Sequence, residues 1–179
     1  YLWGGYLLIA SLRRHKVECK INAIIRGFSK EDKGMLEQFE DVNLIETSDK
    51  RPITFLRPEA IFSADTELIS WIDADCITMG DITNYLMSGG ESLQIRFRTP
   101  DETLRLYKTY FGTSKNGEII PDAVLSIWKK DVNENDLPAI KTTCMTNCFV
   151  VHKKYLEFIK KYQRQLSIIC NSSDVNKSR

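Results

Sequence analysis

The stretch that most constrains this chain is Leu68–Ile82, which reads Leu-Ile-Ser-Trp-Ile-Asp-Ala-Asp-Cys-Ile-Thr-Met-Gly-Asp-Ile. Leu68, Ile69, Trp71 and Ile72 form a short apolar run whose length and β-branched and aromatic content suit a buried parallel strand. The run ends abruptly in two carboxylates, Asp73 and Asp75, one residue apart. Unpaired carboxylates are costly to bury, so such a pair requires a counter-charge. In an open α/β sheet, ligands bind at the carboxyl ends of the strands. Manganese and magnesium favour oxygen ligands, and magnesium is commonly held by one or two carboxylates together with substrate phosphates. The expectation is a divalent ion, Mn²⁺ or Mg²⁺, that carries a phosphorylated ligand on Asp73 and Asp75.

The chain before this stretch alternates helix and strand. Tyr1–Arg14 is apolar on most sides and ends in Arg13-Arg14-His15, cations suited to a helix C-terminus. Lys20–Arg26 reads as a strand closed by Gly27, and Ser29 as the N-cap of a helix bearing Met35, Leu36 and Phe39. Asp41–Glu46 is a second strand, Thr47–Arg51 a polar loop, and Pro58 starts a helix over Glu59–Ala64. This alternation predicts a mostly parallel sheet flanked by helices. Beyond Gly80, Asp81 caps a short helix to Met87, and Leu93–Phe97 is a candidate strand. From Arg98 to Thr146 the periodicity weakens amid Pro100, Gly112, Asn116-Gly117, Pro121 and Pro138, with only Asp122–Trp128 reading as helical. Such a long irregular insertion is usually functional or mobile. Cys148–Val151 resumes as an apolar strand, and Lys154–Ile169 is a clear amphipathic helix.

At 179 residues the chain suits a single domain with its own core. A formal charge of +1, from 25 basic and 24 acidic side chains, gives no reason to propose nucleic acid as a partner. The cysteines at 19, 76, 144, 148 and 170 lack zinc-ligand spacing and read as reduced thiols of a cytosolic protein. No run approaches the roughly 20 apolar residues that span a bilayer. Tyr1–Leu12 lacks a basic n-region and a cleavage site, and the chain has no initiator Met, so part of a longer cytoplasmic protein, with scope for peripheral membrane association, is expected.

Four segments together resemble glycosyltransferase family 8, the glycogenin and bacterial galactosyltransferase group. Tyr1-Leu2-Trp3-Gly4, followed by apolar residues and Ser11-Leu12, is similar to that group's first helix. Trp71-Ile72-Asp73-Ala74-Asp75-Cys76-Ile77 resembles its Tyr/Phe-Leu-Asp-Ala-Asp-Thr-Leu signature. Arg57 stands sixteen positions before Asp73, where the group commonly has a lysine near the donor phosphates. Thr146-Asn147-Cys148-Phe149-Val150-Val151 looks like its Phe-Asn-x-Gly-Val strand.

The resemblance implies a GT-A, Rossmann-like fold lacking its first strand and its C-terminal segment, with a nucleotide-binding half (1–97) and an acceptor-side half (98–179). It implies metal-dependent transfer of a sugar from a nucleotide-diphosphate sugar, with a UDP-sugar the expected donor, to a carbohydrate or glycolipid acceptor. Asp73 and Asp75 would hold the metal, and Tyr1, Arg57, Asp73 and Asn147 the donor. Asp174, within Ser173-Asp174-Val175-Asn176, would match the acidic residue beneath the sugar.

Departures accompany the likeness. Phe149 stands where the group has glycine, and the histidine and Lys-Pro-Trp segment that complete its metal site are missing.

Plainer readings remain open for each residue. Tyr1 could be a frayed terminal aromatic, Arg57 could pair with Glu59, Asn147 could satisfy backbone groups, and His152 could cap the last helix. The two aspartates could serve an ordinary strand-end loop. Other functional readings are a haloacid-dehalogenase-type phosphatase using Asp73 as nucleophile, and a glycosyltransferase-like binding module without turnover.

Overall fold

The structure is a computed structural model that describes residues 2–51, 53–88, 90, 93–111, 122–131 and 142–171. It is a mixed α/β protein whose chain falls into two compact units, Tyr1–Gln94 with Asn147–Ile159, and Ile95–Thr146 with Lys160–Arg179.

In the first unit, helix α1 (Leu2–Arg14) buries Leu8, Ile9 and Leu12. Its end is a Schellman motif. Lys16 takes the left-handed conformation (φ 57°), its N–H donates to Arg13, and the Val17 N–H reaches back to the Leu12 carbonyl at 3.0 Å. Val17 and Leu12 then pack in one cluster, the apolar contact that usually accompanies this motif. The Arg13 guanidinium donates to the carbonyls of Val17, Cys19 and Glu40, which fixes the exit of the chain.

Strand β1 (Ile21–Ile25) pairs in parallel with β2 (Val42–Glu46), in register from Ile21↔Val42 to Ile25↔Glu46. The crossover between them is α2 (Lys30–Glu37). Ser29 caps it in a capping box completed by Asp32, so two otherwise orphaned N–H groups are satisfied. Ile9, Ile25 and Leu36 form one core cluster, with Tyr6, Phe39, Val42 and Leu44 packed around it.

A 3-10 turn (Ile53–Leu56) leads into α3 (Arg57–Phe62), which buries Arg57, Pro58, Ala60 and Ile61. Strand β3 (Leu68–Ile72) follows, then α4 (Thr83–Met87). The Asp81 carboxylate accepts from the Thr83 N–H just ahead of α4, one residue earlier than a regular cap. The last strand, β5 (Cys144–His152), contributes Asn147–His152 to this unit.

Among the described residues the strands form small sheets of both kinds: β1 and β2 pair in parallel, and β3 pairs antiparallel with β5, in register from Leu68↔His152 to Ile72↔Cys148. Helix–strand alternation shows that the connections can make crossovers but does not choose ladder partners. An apolar segment such as Phe149–Val151 can satisfy a neighbour running in either direction.

In the second unit, β4 (Gln94–Phe97) pairs with β5. The region read as irregular contains a twelve-residue helix, α5 (Pro100–Phe111), before α6 (Asp122–Asp131). Pro100 marks the first helical position rather than a break. Thr99 and Glu102 form a reciprocal box: Glu102 Oε2 accepts from the Thr99 N–H at 2.8 Å, and Thr99 Oγ1 from the Glu102 N–H at 3.2 Å. Helix α7 (Leu156–Asn171) begins in the first unit and runs on into the second. It is entered through a 3-10 turn whose Lys154 N–H donates to His152 Nδ1, so that histidine is a cap.

Two adjacent glycines in α1 separate packing from propensity. A Cβ on Gly4 would lie 2.5 Å from the Ala74 carbonyl oxygen, whereas one on Gly5 would meet nothing within 4 Å. Gly4→Ala is expected to destabilise by about 1–3 kcal/mol, as overpacking against backbone does. Gly5→Ala should stabilise by up to about 1 kcal/mol, the helix-interior difference between the two residues. Thermal melts of the two variants check both signs.

Candidate carboxylate site at the end of strand β3

The two-residue period of a strand puts Ile69, Trp71 and Asp73 on one face of β3 and Ile72 on the other. Ile72 packs with Leu8, Leu12 and Val17 under α1, while the Trp71 ring lies beneath the Arg57 guanidinium from α3, 5.0 Å from carbon to ring centroid. The Asp73 N–H donates to the Asn147 carbonyl at 2.7 Å, which carries the ladder one residue past the strand. The chain then turns back: the Cys76 N–H donates to the Asp73 carbonyl at 3.0 Å, with Ala74 and Asp75 at the corners.

The two aspartates have different surroundings. Asp73 Oδ1 accepts from Arg57 Nη2 at 2.9 Å and from Trp71 Nε1 at 2.5 Å. The Arg57 side chain is only 6% exposed and that of Asp73 29%, so this is a largely desolvated ion pair. Arg57 Nε is buried and has no hydrogen-bond partner among the described residues. Asp75 is exposed. The surface pairing of Arg57 with Glu59 is not formed. Glu59 binds Arg51 at 2.7 Å instead, and Arg51 also holds Asp49, whose carboxyl is pulled below its usual range by those hydrogen bonds. With Glu59 occupied, Asp73 is the acid that neutralises Arg57.

The turn is backed by α1. Gly4 sits against the Ala74 carbonyl, and Ser11 Oγ accepts from both the Thr78 N–H (3.1 Å) and the Thr78 hydroxyl (2.9 Å) while donating to the Leu8 carbonyl. Asn147 meets the turn through its backbone carbonyl, which accepts from the Asp73 N–H.

Burial pushes the Cys76 thiol up, and the negative charges of Asp75 and Asp73 add to that. Burial likewise raises Cys148, whose partner Tyr85 is pushed up to about 12. These thiols stay protonated near neutral pH, which disfavours thiolate ligation or nucleophilic attack from them.

The structure therefore brings Arg57, Asp73, Asp75 and Asn147 together, and Tyr1 and Asp174 lie outside the described residues. Trp71 was legible only as a strand residue. Its place two positions before Asp73, on the same face, is the signal that could have assigned it to the site. Among the described residues no group of three His, Cys, Asp or Glu side chains could hold a metal ion. The donors present, a free oxygen of Asp73 and the exposed Asp75, are hard oxygens suited to magnesium or manganese, with the remaining positions left to a ligand. A shallow depression in the second unit, lined by Arg98, Glu102, Arg105, Leu106 and Thr109, contains none of these residues. Comparison with protein-family models, curated proteins and solved structures finds no match.

The unequal surroundings predict unequal mutational costs. Asp73→Asn strips the counter-charge from a buried arginine and should cost about 2–3 kcal/mol, less than the 3–5 kcal/mol of a fully dry pair because Asp73 is partly exposed. Asp75→Asn should leave the melting temperature unchanged, as exposed substitutions do. Chemical denaturation of both variants measures the difference. The raised thiols give a second expectation. Alkylation of Cys76 and Cys148 by iodoacetamide at pH 7.5 should be slower than that of a free cysteine and should accelerate above pH 9, read peptide by peptide by mass spectrometry.

Proposed function

We propose that this chain is a GT-A-type nucleotide-sugar transferase domain that seats the diphosphate of its donor at the Asp73–Asp75 turn. One observation carries the reading: the segments that resemble glycosyltransferase family 8, far apart in sequence, converge on this turn. Gly4 and Ser11 of α1 pack on its back, Arg57 of α3 pairs with its first carboxylate, and the Asn147 carbonyl of β5 accepts from the Asp73 N–H.

The roles divide by environment. Exposed Asp75 and the free oxygen of Asp73 would hold Mn²⁺ or Mg²⁺, which as a Lewis acid offsets the negative charge that builds on a departing diphosphate. Arg57 carries a guanidinium 2.9 Å from Asp73 and would add fixed positive potential beside the phosphates. In this reading Asn147 would contact the sugar; the family roles of Tyr1 at the base and Asp174 beneath the sugar fall on residues outside those described. The acceptor would be a carbohydrate or glycolipid. The GT-A fold calls for a first strand ahead of α1, and β1 and β3 each keep an edge without a ladder partner among the described residues. No helix among the described residues is long and apolar enough to cross a membrane; the cytoplasmic location we propose rests on the cysteines read as reduced thiols.

With so few carboxylates for an octahedral ion, metal and nucleotide should bind each other's complex far better than either binds alone. Calorimetry with UDP is expected to give saturable binding with Mn²⁺ present, loss of binding in EDTA, and no binding for Asp75→Ala. Unchanged affinity in that variant sinks the metal-site reading. Release of phosphate from an aryl phosphate, dependent on Asp73, replaces it with the phosphatase reading.

A further inference from the structure

Two donors converge on a single oxygen of Asp73. Arg57 Nη2 and Trp71 Nε1 both bond Oδ1, and Oδ2 accepts no bond among the described residues. The donors also fix one another. The Arg57 guanidinium lies over the Trp71 ring, and Trp71 stands opposite the buried Phe149 in the β3–β5 ladder. A carboxylate otherwise rotates about its side-chain bonds and exchanges its two oxygens among partners. Here that freedom is removed by one charged and one neutral donor, the second carried by a strand and so placed rigidly.

We propose that Trp71 is a positioning residue, whose indole N–H locks the rotamer of Asp73 so that Oδ1 is committed to the protein and Oδ2 is the oxygen left for a ligand. The ligand chemistry this selects is a hydroxyl of a sugar or ribose, or a hard cation, because an ionised carboxylate oxygen is an acceptor only. Arg57 offsets the charge of Asp73, so the free oxygen acts as a fixed hydrogen-bond acceptor more than as a bare charge, and Asp75 carries the uncompensated charge of the turn. The preference for a hydroxyl or ion of a nucleotide sugar rests on the function proposed above. The locking of Asp73 by Trp71 does not.

Trp71→Phe is the discriminating variant. It keeps an aromatic ring beneath Arg57 and opposite Phe149 but deletes the N–H. Hydrogen bonds to charged groups are typically worth about 1.5–3 kcal/mol. On that scale the affinity for UDP with Mn²⁺ should fall by about 10-fold or more, while the fold survives. A second measurement needs neither ligand nor substitution of Asp73. In ¹⁵N-labelled protein the Trp71 indole N–H, identified by its absence in Trp71→Phe beside Trp3 and Trp128, should exchange slowly with solvent and keep its position in Asp75→Asn.

The outcomes separate the two claims. A Trp71 indole N–H that exchanges as fast as a free indole overturns the lock. Slow exchange in the parent protein together with unchanged UDP affinity in Trp71→Phe, where Asp75→Ala abolishes binding, overturns the positioning role and leaves the nucleotide reading standing. If the parent protein binds no nucleotide, the nucleotide reading falls, and the indole exchange alone decides for or against the lock.

Discussion

The ion pair between Arg57 and Asp73 is the interaction on which the candidate site depends. An arginine held at the end of α3 with almost no exposure is tolerable only if an acid comes to it, and the acid comes from the far end of β3. That requirement fixes where β3 must stop and which way its last side chain must face. It also explains why the neighbouring polar loop binds its own charges internally. Arg51 engages both Asp49 and Glu59, so no second carboxylate competes for Arg57.

Much of this was legible in the residues. The start of α2 followed from Ser29 and Asp32, and the end of β3 from the abrupt change after Ile72. What was not legible has physical causes. Ladder partners depend on which edges meet in space, and an apolar strand such as Phe149–Val151 accepts either direction. The helix Pro100–Phe111 was hidden because a proline was weighed as a stop, while Thr99 and Glu102, the capping pair that makes it a start, lie on either side of it. Arg57 had a nearer acid in sequence than Asp73, and only the competition of Arg51 for Glu59 decides the pairing.

The site itself was legible in part. Asp73 and Asp75 were named from their place at the strand end, and Arg57 and Asn147 from the family resemblance; Arg57 and the Asn147 backbone do meet Asp73. Spacing could not reveal that the two aspartates are unlike, one clamped between an arginine and an indole and the other open to water. That difference depends on side-chain direction at a strand end followed by a turn, which a sequence carries only as alternation. Asn147 shows the same limit. Its neighbours Cys144–Thr146 fall in the second unit while Asn147–Ile159 belong to the first. A residue more than seventy positions beyond Asp73 thereby becomes its backbone partner.

The contact between Gly4 and the Ala74 carbonyl has a consequence for how this site can change over time. At Gly4 there is no room for even one added carbon without displacing the Ala74 backbone. Asp75, Ile77 and Met79 of the same turn and its continuation are exposed. Variation that alters what the turn recognises can therefore accumulate in one direction only. The helix works as a fixed wall, and new specificity would be written on the open bank of the turn.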